Sequence, residues 1–253
     1  MGMRNKTYFI SDVHLGSKAH NNPIEIERQL CCWLDFIKLD AKEVYLMGDI
    51  FDYWYEYKYV VPKGFVRVLG KLAEMTDSGI EVHFFVGNHD LWLTNYLEEE
   101  CGITLHHQPK IVEVDGRKLF LAHGDGLGQQ SCSSRFLRAI FRCRFLRFCF
   151  STIHPRWTIP LGQAWSNYKR KKETVTPFAG EDKEELITFA KKKLKEVPDI
   201  DLFILGHRHL MLEFPITNSS QVIFLGDWIT YFSYGVLDEK GFHLRLFETP
   251  TTC

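Results

Sequence analysis

The stretch Val82-His83-Phe84-Phe85-Val86-Gly87-Asn88-His89-Asp90 decides the fold. A largely apolar run stops, with no spacer, at glycine, an amide, an imidazole and a carboxylate. Such a run reads as a buried strand delivering polar groups to its carboxyl end, where open α/β sheets place their chemistry. The pattern recurs along the chain. Lys6 to Ser11 ends at Asp12-Val13-His14, Glu43 to Met47 at Gly48-Asp49, and Lys118 to Ala122 at His123-Gly124-Asp125. Asp201 to Leu205 ends at Gly206-His207-Arg208-His209, and Gln221 to Leu225 at Gly226-Asp227-Trp228.

Helical spacing fills the gaps: Ile26, Leu30, Trp33, Leu34 and Ile37 within Pro23 to Leu39, then Val66 to Ala73, Leu91 to Glu100 and the lysine-rich Glu184 to Val197. Asp115-Gly116 and Lys240-Gly241 mark hairpin turns. The expectation is an α/β fold of two packed mixed β-sheets flanked by helices. With 253 residues, 45% of them hydrophobic, one domain over 1–253 is expected, with residues 127–172 inserted as a helical cap. Net charge is −1, which gives no global sign of a nucleic-acid binder. No apolar run approaches the length of a membrane span, and the few residues between Lys6 and Asp12 leave no room for a secretory h-region. The seven cysteines are scattered without CxxC spacing, so reduced thiols in a cytoplasmic protein are expected.

Five strand ends carry metal-ligating residue types: Asp12 with His14, Asp49, Asn88 with His89, His123, and His207 with His209. Residues i and i+2 of a strand share a face, so Asp12 with His14 and His207 with His209 are expected as two clamps. Carboxylate, amide oxygen and imidazole without thiolate suit Mn²⁺, Fe²⁺ or Zn²⁺ in a reactive site, rather than a structural zinc or an all-oxygen calcium site. The donors are too many for one ion and suit two sharing a bridging carboxylate, one oxygen to each ion. The histidines outside these ends are read as a strand residue, His83, and loop or surface groups, His20, His106, His107, His154 and His243.

Asp12-Val13-His14, Gly48-Asp49-Ile50-Phe51-Asp52, Gly87-Asn88-His89-Asp90, His123-Gly124-Asp125 and Gly206-His207-Arg208-His209 resemble, in order and form, the motifs of the calcineurin-like metallophosphoesterase superfamily. The resemblance spans nearly the whole chain and implies a four-layer fold and a hydrolase with two divalent ions, Mn²⁺ foremost. It implies that Asp12, His14, Asp49 and His209 hold one ion and that Asp49, Asn88, His123 and His207 hold the other. Asp49 would be the bridge, and a hydroxide between the ions would attack phosphorus in line. His89, with Asn88 beside it, would assist the leaving group, while Asp52 and Asp90 support from behind.

From Leu127 to Lys172 there is no acidic residue, yet Arg135, Arg138, Arg142, Arg144, Arg147, Arg156 and Lys169 to Lys172 fall there, interleaved with Phe136, Phe141, Phe145, Phe148, Phe150, Trp157 and Trp165. Pro155 and Pro160 interrupt the region, which predicts two or more amphipathic helices beside the strand ends. Such a segment suits a polyanionic lipid substrate or an anionic membrane surface; nucleic acid is disfavoured because the remaining chain is net acidic. Arg135, Arg138, Lys169 and Lys172 are the candidate substrate contacts. A basic helical insertion directly after His-Gly-Asp, with the late Leu225-Gly226-Asp227-Trp228, is similar to the UDP-2,3-diacylglucosamine hydrolases of the lipid A pathway. That likeness implies cleavage of a UDP-sugar lipid to UMP and 2,3-diacylglucosamine 1-phosphate, peripheral to the inner face of the cytoplasmic membrane. The best-known members carry arginine where this chain has His89. Another phosphodiesterase, a nucleotide pyrophosphatase or a non-enzymatic scaffold on the same fold are the alternatives, and oligomeric state is not readable.

Overall fold

A computed structural model of the chain describes residues 4–128, 132–172 and 177–250; the side chains of 133–134 and 167–172 also fall outside the description. In chain order its elements are β1 (Lys6–Ile10), α1 (Pro23–Ile37), β2 (Ala41–Leu46), α2 (Val66–Asp77), β3 (Glu81–Phe85), α3 (Tyr96–Cys101), β4 (Thr104–His106), β5 (Lys110–Val114) and β6 (Arg117–Ala122). There follow α4 (Cys132–Arg142), α5 (Arg144–Ser151), α6 (Pro155–Lys172), α7 (Glu185–Glu196), β7 (Leu202–Leu205), β8 (Met211–Pro215), β9 (Gln221–Leu225), β10 (Ser233–Asp238) and β11 (Gly241–Leu246).

The strands form two mixed sheets, ordered β11-β10-β1-β2-β3-β4 and β5-β6-β7-β9-β8. In the first, β1 to β4 run parallel and the β10–β11 hairpin adds antiparallel to β1. In the second, β6, β7 and β9 are parallel, with β5 and β8 antiparallel at the edges. The continuous apolar strands follow from burial on both faces. Phe9, Tyr45 and Phe85 point inward to meet Leu119, Leu121, Ile204, Ile223 and Leu225 of the other sheet. Their neighbours Tyr8, Ile10, Val44, Leu46 and Phe84 point outward and pack with Ile26, Leu30, Trp33, Leu34 and Ile37 of α1. Phe120, Phe203, Val222 and Phe224 do the same against Leu186, Ile187 and Ala190 of α7. The result is the expected layering of helix, sheet, sheet and helix, with the carboxyl ends of the parallel strands of both sheets along one edge.

Departures from expectation have local causes. The helix predicted from Leu91 begins only at Tyr96, because Leu93 is buried in the core and Trp92 forms a bridge to Tyr55. Pro155 opens α6, but Pro160 is accommodated inside it. Cys31, Cys101, Cys132, Cys143 and Cys149 are free, as expected of scattered cysteines. His20 lies in a loop as expected but is buried, with Nε2 2.9 Å from the Val13 carbonyl, whereas His106 and His243, expected in loops or on the surface, lie on β4 and β11.

The α4–α6 segment roots on aromatic groups beside β3. The Trp92 indole N–H donates to the Phe141 carbonyl at 2.9 Å, the Tyr55 hydroxyl donates to the Arg147 carbonyl at 2.7 Å, and Phe150 packs on both rings.

His106, on edge strand β4, is half-buried and stacks on His83, with Nε2 3.3 Å from His83 Nδ1. Burial, then the positive charge of Lys110, pushes its pKa down to about 4, and burial also lowers that of His83. An unfolded histidine takes up its proton near 6.5, so between about 4 and 6.5 the unfolded chain holds more protons and acidification favours unfolding. Stability measured by urea titration is therefore expected to fall as pH drops through that window, with a shallower fall in His106→Phe; identical slopes would contradict this.

Candidate metal centre

Asp12, His14, Asp49, His207 and His209 all lie beyond the strand ends, in left-handed backbone with φ between 51° and 67°. Non-glycine residues adopt that region at a cost and persist there only where surrounding bonds fix them. The donors therefore converge through tight loops and not through strand pleating. His207 and His209, expected as one clamp, separate into different clusters. The donor atoms of Asp12, His14 and His209 lie within 4.8 Å of one another, as do those of Asp49, His123 and His207, and a third such set joins His14, Asp49 and His89.

Asp49 stands between them. Its Oδ2 is 4.0 Å from His14 Nε2 and 3.2 Å from His123 Nε2, while Oδ1 accepts the His89 backbone N–H at 2.7 Å. A single carboxylate oxygen thus faces both clusters, where one oxygen for each had been expected. Asp12 Oδ1 lies 3.7 Å from His14 Nε2 and 3.5 Å from His209 Nε2, and Oδ2 accepts from Ser11 Oγ and the His207 N–H.

Three of the imidazoles are oriented from behind. His123 Nδ1 donates to the Met47 carbonyl at 2.8 Å, His209 Nδ1 meets Asp227 Oδ2 at 2.9 Å, and His14 Nδ1 lies 3.5 Å from Asp52 Oδ1. Such partners fix tautomer and ring plane, turning the other nitrogen to the site. Asp90 accepts from the N–H groups of Gly87 and Ile50, tying two of the loops together. Two glycines permit the close approach. A Cβ at Gly87 would fall 2.3 Å from Asp49 Oδ1, and one at Gly206 would fall 1.9 Å from Ser11 Oγ.

The electrostatics match a cation. Burial opposes ionisation of Asp12, yet the imidazoles of His209, His14 and His123 hold its carboxyl below the usual range. Burial opposes Asp49 too, and His123 and His89 override it. Against its burial, His123 is raised by Asp49, whereas burial and the neighbouring His123 push His207 down to about 4. Burial, then Asp49, raises Asp90 to about 7. Asp12 Oδ1, Asn88 Oδ1 and His123 Nε2 are buried without a hydrogen-bond partner among the described residues. Each such atom costs about 1–3 kcal/mol when it stays unsatisfied. Carboxylate, amide and imidazole donors gathered in this way fit divalent cations.

The family model for calcineurin-like phosphoesterases matches residues 6–211. The chain belongs to the calcineurin-like phosphoesterase family. A relative from Porphyromonas gingivalis, named UDP-2,3-diacylglucosamine hydrolase, is 44% identical over 249 residues, covering 93% of this chain and 95% of the relative. A Vibrio atlanticus protein of the same name is 25% identical over 95% of this chain and 96% of its own. Among solved structures, the Escherichia coli phosphoesterase Yfce aligns over 92% of this chain and 88% of its own, at 16% identity and a TM-score of 0.42.

In this phosphoesterase a cavity of about 1020 Å³ opens from Asn88, His89 and His207 to α4–α6. Arg138 lines it, its guanidinium 2.7 Å from Asp125 Oδ2, whereas Arg135 is exposed and does not. The side chains of Lys169 and Lys172 lie outside the described residues. Sequence reasoning missed Asp227, Ser11 and Ser166, as well as Arg208, which pairs with the buried Glu184 through two hydrogen bonds. The only signal for Asp227 was its place at a strand end.

Asp227→Asn would keep an oxygen for the backbone N–H groups of Ile229, Thr230 and Tyr231 but turn an amide toward His209. Metal affinity by titration calorimetry is expected to weaken by about 10- to 100-fold with the melting temperature nearly unchanged; undiminished affinity would refute the orienting role.

Proposed function

We propose that the chain hydrolyses the pyrophosphate of UDP-2,3-diacylglucosamine, giving UMP and 2,3-diacylglucosamine 1-phosphate. One observation carries this reading: a single cavity joins the polar cluster, through Asn88, His89 and His207, to an apolar wall of Leu137, Phe141, Phe150, Leu161 and Trp165. Its volume, about 1020 Å³, is at the upper end for small-molecule sites and suits a substrate with both headgroup and acyl chains. The name of the P. gingivalis relative supports the same substrate.

In this reading Asp12, His14, Asp49 and His209 hold one ion, and Asp49, Asn88, His123 and His207 hold the other. Two divalent cations, Mn²⁺ in preference to Fe²⁺ or Zn²⁺, would supply neutralising charge at the phosphoryl oxygens and acidify a water. His89 holds a proton for the departing oxygen. Asp52 and Asp90 steady His14 and the loops. Arg138, Arg142 and Arg208 line the cavity, Arg138 paired with Asp125 and Arg208 with Glu184, and the apolar wall receives the acyl chains.

Residues 127–172 then act as a cap on one domain over 1–253. No helix among the described residues is long and apolar enough to cross a membrane. The exposed Phe136, Phe145, Phe148 and Trp157, beside Arg135, Arg144 and Arg156, suit peripheral contact with an anionic bilayer, such as the inner face of the cytoplasmic membrane.

Mn²⁺-loaded protein assayed on UDP-2,3-diacylglucosamine, a UDP-sugar without acyl chains and bis-4-nitrophenyl phosphate tests the reading. The expected result is kcat/KM on the lipid about 100-fold or more above the deacylated sugar, and co-sedimentation with anionic but not neutral vesicles. Equal rates with and without acyl chains would defeat the lipid assignment. Asp49→Ala is expected to lose activity and metal stoichiometry together; an active variant holding a single ion would refute the bridge.

A further inference from the structure

The α6 helix docks on the loop after β2 through one face. Thr158, Gly162 and Ser166, four residues apart, fall on a single stripe. Thr158 is buried and its hydroxyl meets that of Tyr57. Gly162 lies against the Tyr53 ring so closely that a Cβ would stand 2.1 Å from Cε2. One turn further on, Ser166 is 5% exposed and reaches the site itself.

Its hydroxyl donates to Asp52 Oδ2 at 2.9 Å and lies 2.9 Å from His89 Nδ1. The same Nδ1 is 3.0 Å from the Asp52 backbone carbonyl. A carbonyl oxygen only accepts, so Nδ1 carries the hydrogen and shares it between that carbonyl and the serine oxygen. One of the two oxygens comes from the core and the other from the inserted helix, 77 residues away in sequence. The His89 ring they hold stands edge-on to His14, with centroids 4.8 Å apart. Asp52 closes the arrangement with its other oxygen, 3.5 Å from His14 Nδ1.

The geometry points to Ser166 as a positioning residue for His89: seating of α6 completes the hydrogen bonds that fix the imidazole, so the ring is ordered only when the segment over the cavity is in place. This rests on the reading that His89 serves the departing oxygen, and it adds a residue from the inserted segment to the apparatus. A ring that loses one of its hydrogen-bond acceptors is freer to rotate, and small misplacements of such groups lose rate steeply.

The test is a double-mutant cycle, read by kinetics and by side-chain NMR. In Mn²⁺-loaded protein, Ser166→Ala is expected to lower kcat about tenfold with KM and bound metal unchanged, and Ser166→Thr to recover most of the loss. In a His89→Ala background, Ser166→Ala is expected to change kcat less than about twofold, since nothing remains to position. An equal loss in both backgrounds, a rise in KM alone, or no loss would overturn the proposal. The second readout needs no substrate. In Zn²⁺-loaded protein, the ¹H–¹⁵N ring pattern that disappears in His89→Ala is expected to show a proton on Nδ1 and to average in Ser166→Ala; an unchanged pattern would overturn the proposal even if the substrate assignment failed. A wild-type protein inactive on every phosphodiester offered, with the ring pattern responding as expected, would count against the proposed function alone.

Discussion

Asp12 and Asp49 are two carboxylates buried almost completely and side by side, and the architecture is arranged around keeping them charged. Desolvating an ion costs several kcal/mol unless opposite charge and hydrogen bonds offset it. Here the offset comes from imidazoles on separate loops, from the N–H groups of His89 and His207, and from Ser11. These groups satisfy one oxygen of each carboxylate and leave the other facing imidazole nitrogens. Bound cations would settle the remaining account.

The fold makes this convergence available. Two sheets packed face to face bring the carboxyl edges of β1, β2 and β3 against those of β6, β7 and β9, so donors distant in sequence become neighbours. The left-handed turns at Asp12, His14, Asp49, His207 and His209 carry strain of order 1–3 kcal/mol each. Crossing hydrogen bonds hold them: the Asp12 N–H to the Gly48 carbonyl, the His14 N–H to the Asp49 carbonyl, and the Trp228 N–H to the Asp12 carbonyl. Hydrophobic packing of the two sheets thus holds the strained loops in register.

Much of this was legible in the residues because a strand buried on both faces leaves an unmistakable apolar run, and its polar ending marks the site. Five such endings pointed to the sheets and to the side chains that the fold brings together. The edge strands β4 and β8 were not legible, since three residues in the first and the half-exposed Met211–Pro215 in the second carry no such contrast. The shared face expected of His207 and His209 failed because strand periodicity was extended past the strand end, into backbone of opposite hand, whereas the motif resemblance had already assigned them to different clusters. Ser166 gave no signal, since its role depends on which face of α6 meets the loop carrying Asp52. That choice is made by Gly162 against Tyr53, a contact no local pattern encodes.

Loops from both sheets turn Asp49 Oδ2 toward both donor clusters, and in the proposed reading two adjacent cations share it. Electron paramagnetic resonance of the protein reconstituted with excess Mn²⁺ and then desalted tests it most directly. About two ions per chain and the spectrum of an exchange-coupled pair are expected, because two ions that share a carboxylate oxygen would lie roughly 3.5–4 Å apart. A single bound ion, or two giving only the hyperfine sextet of isolated Mn²⁺, would contradict it.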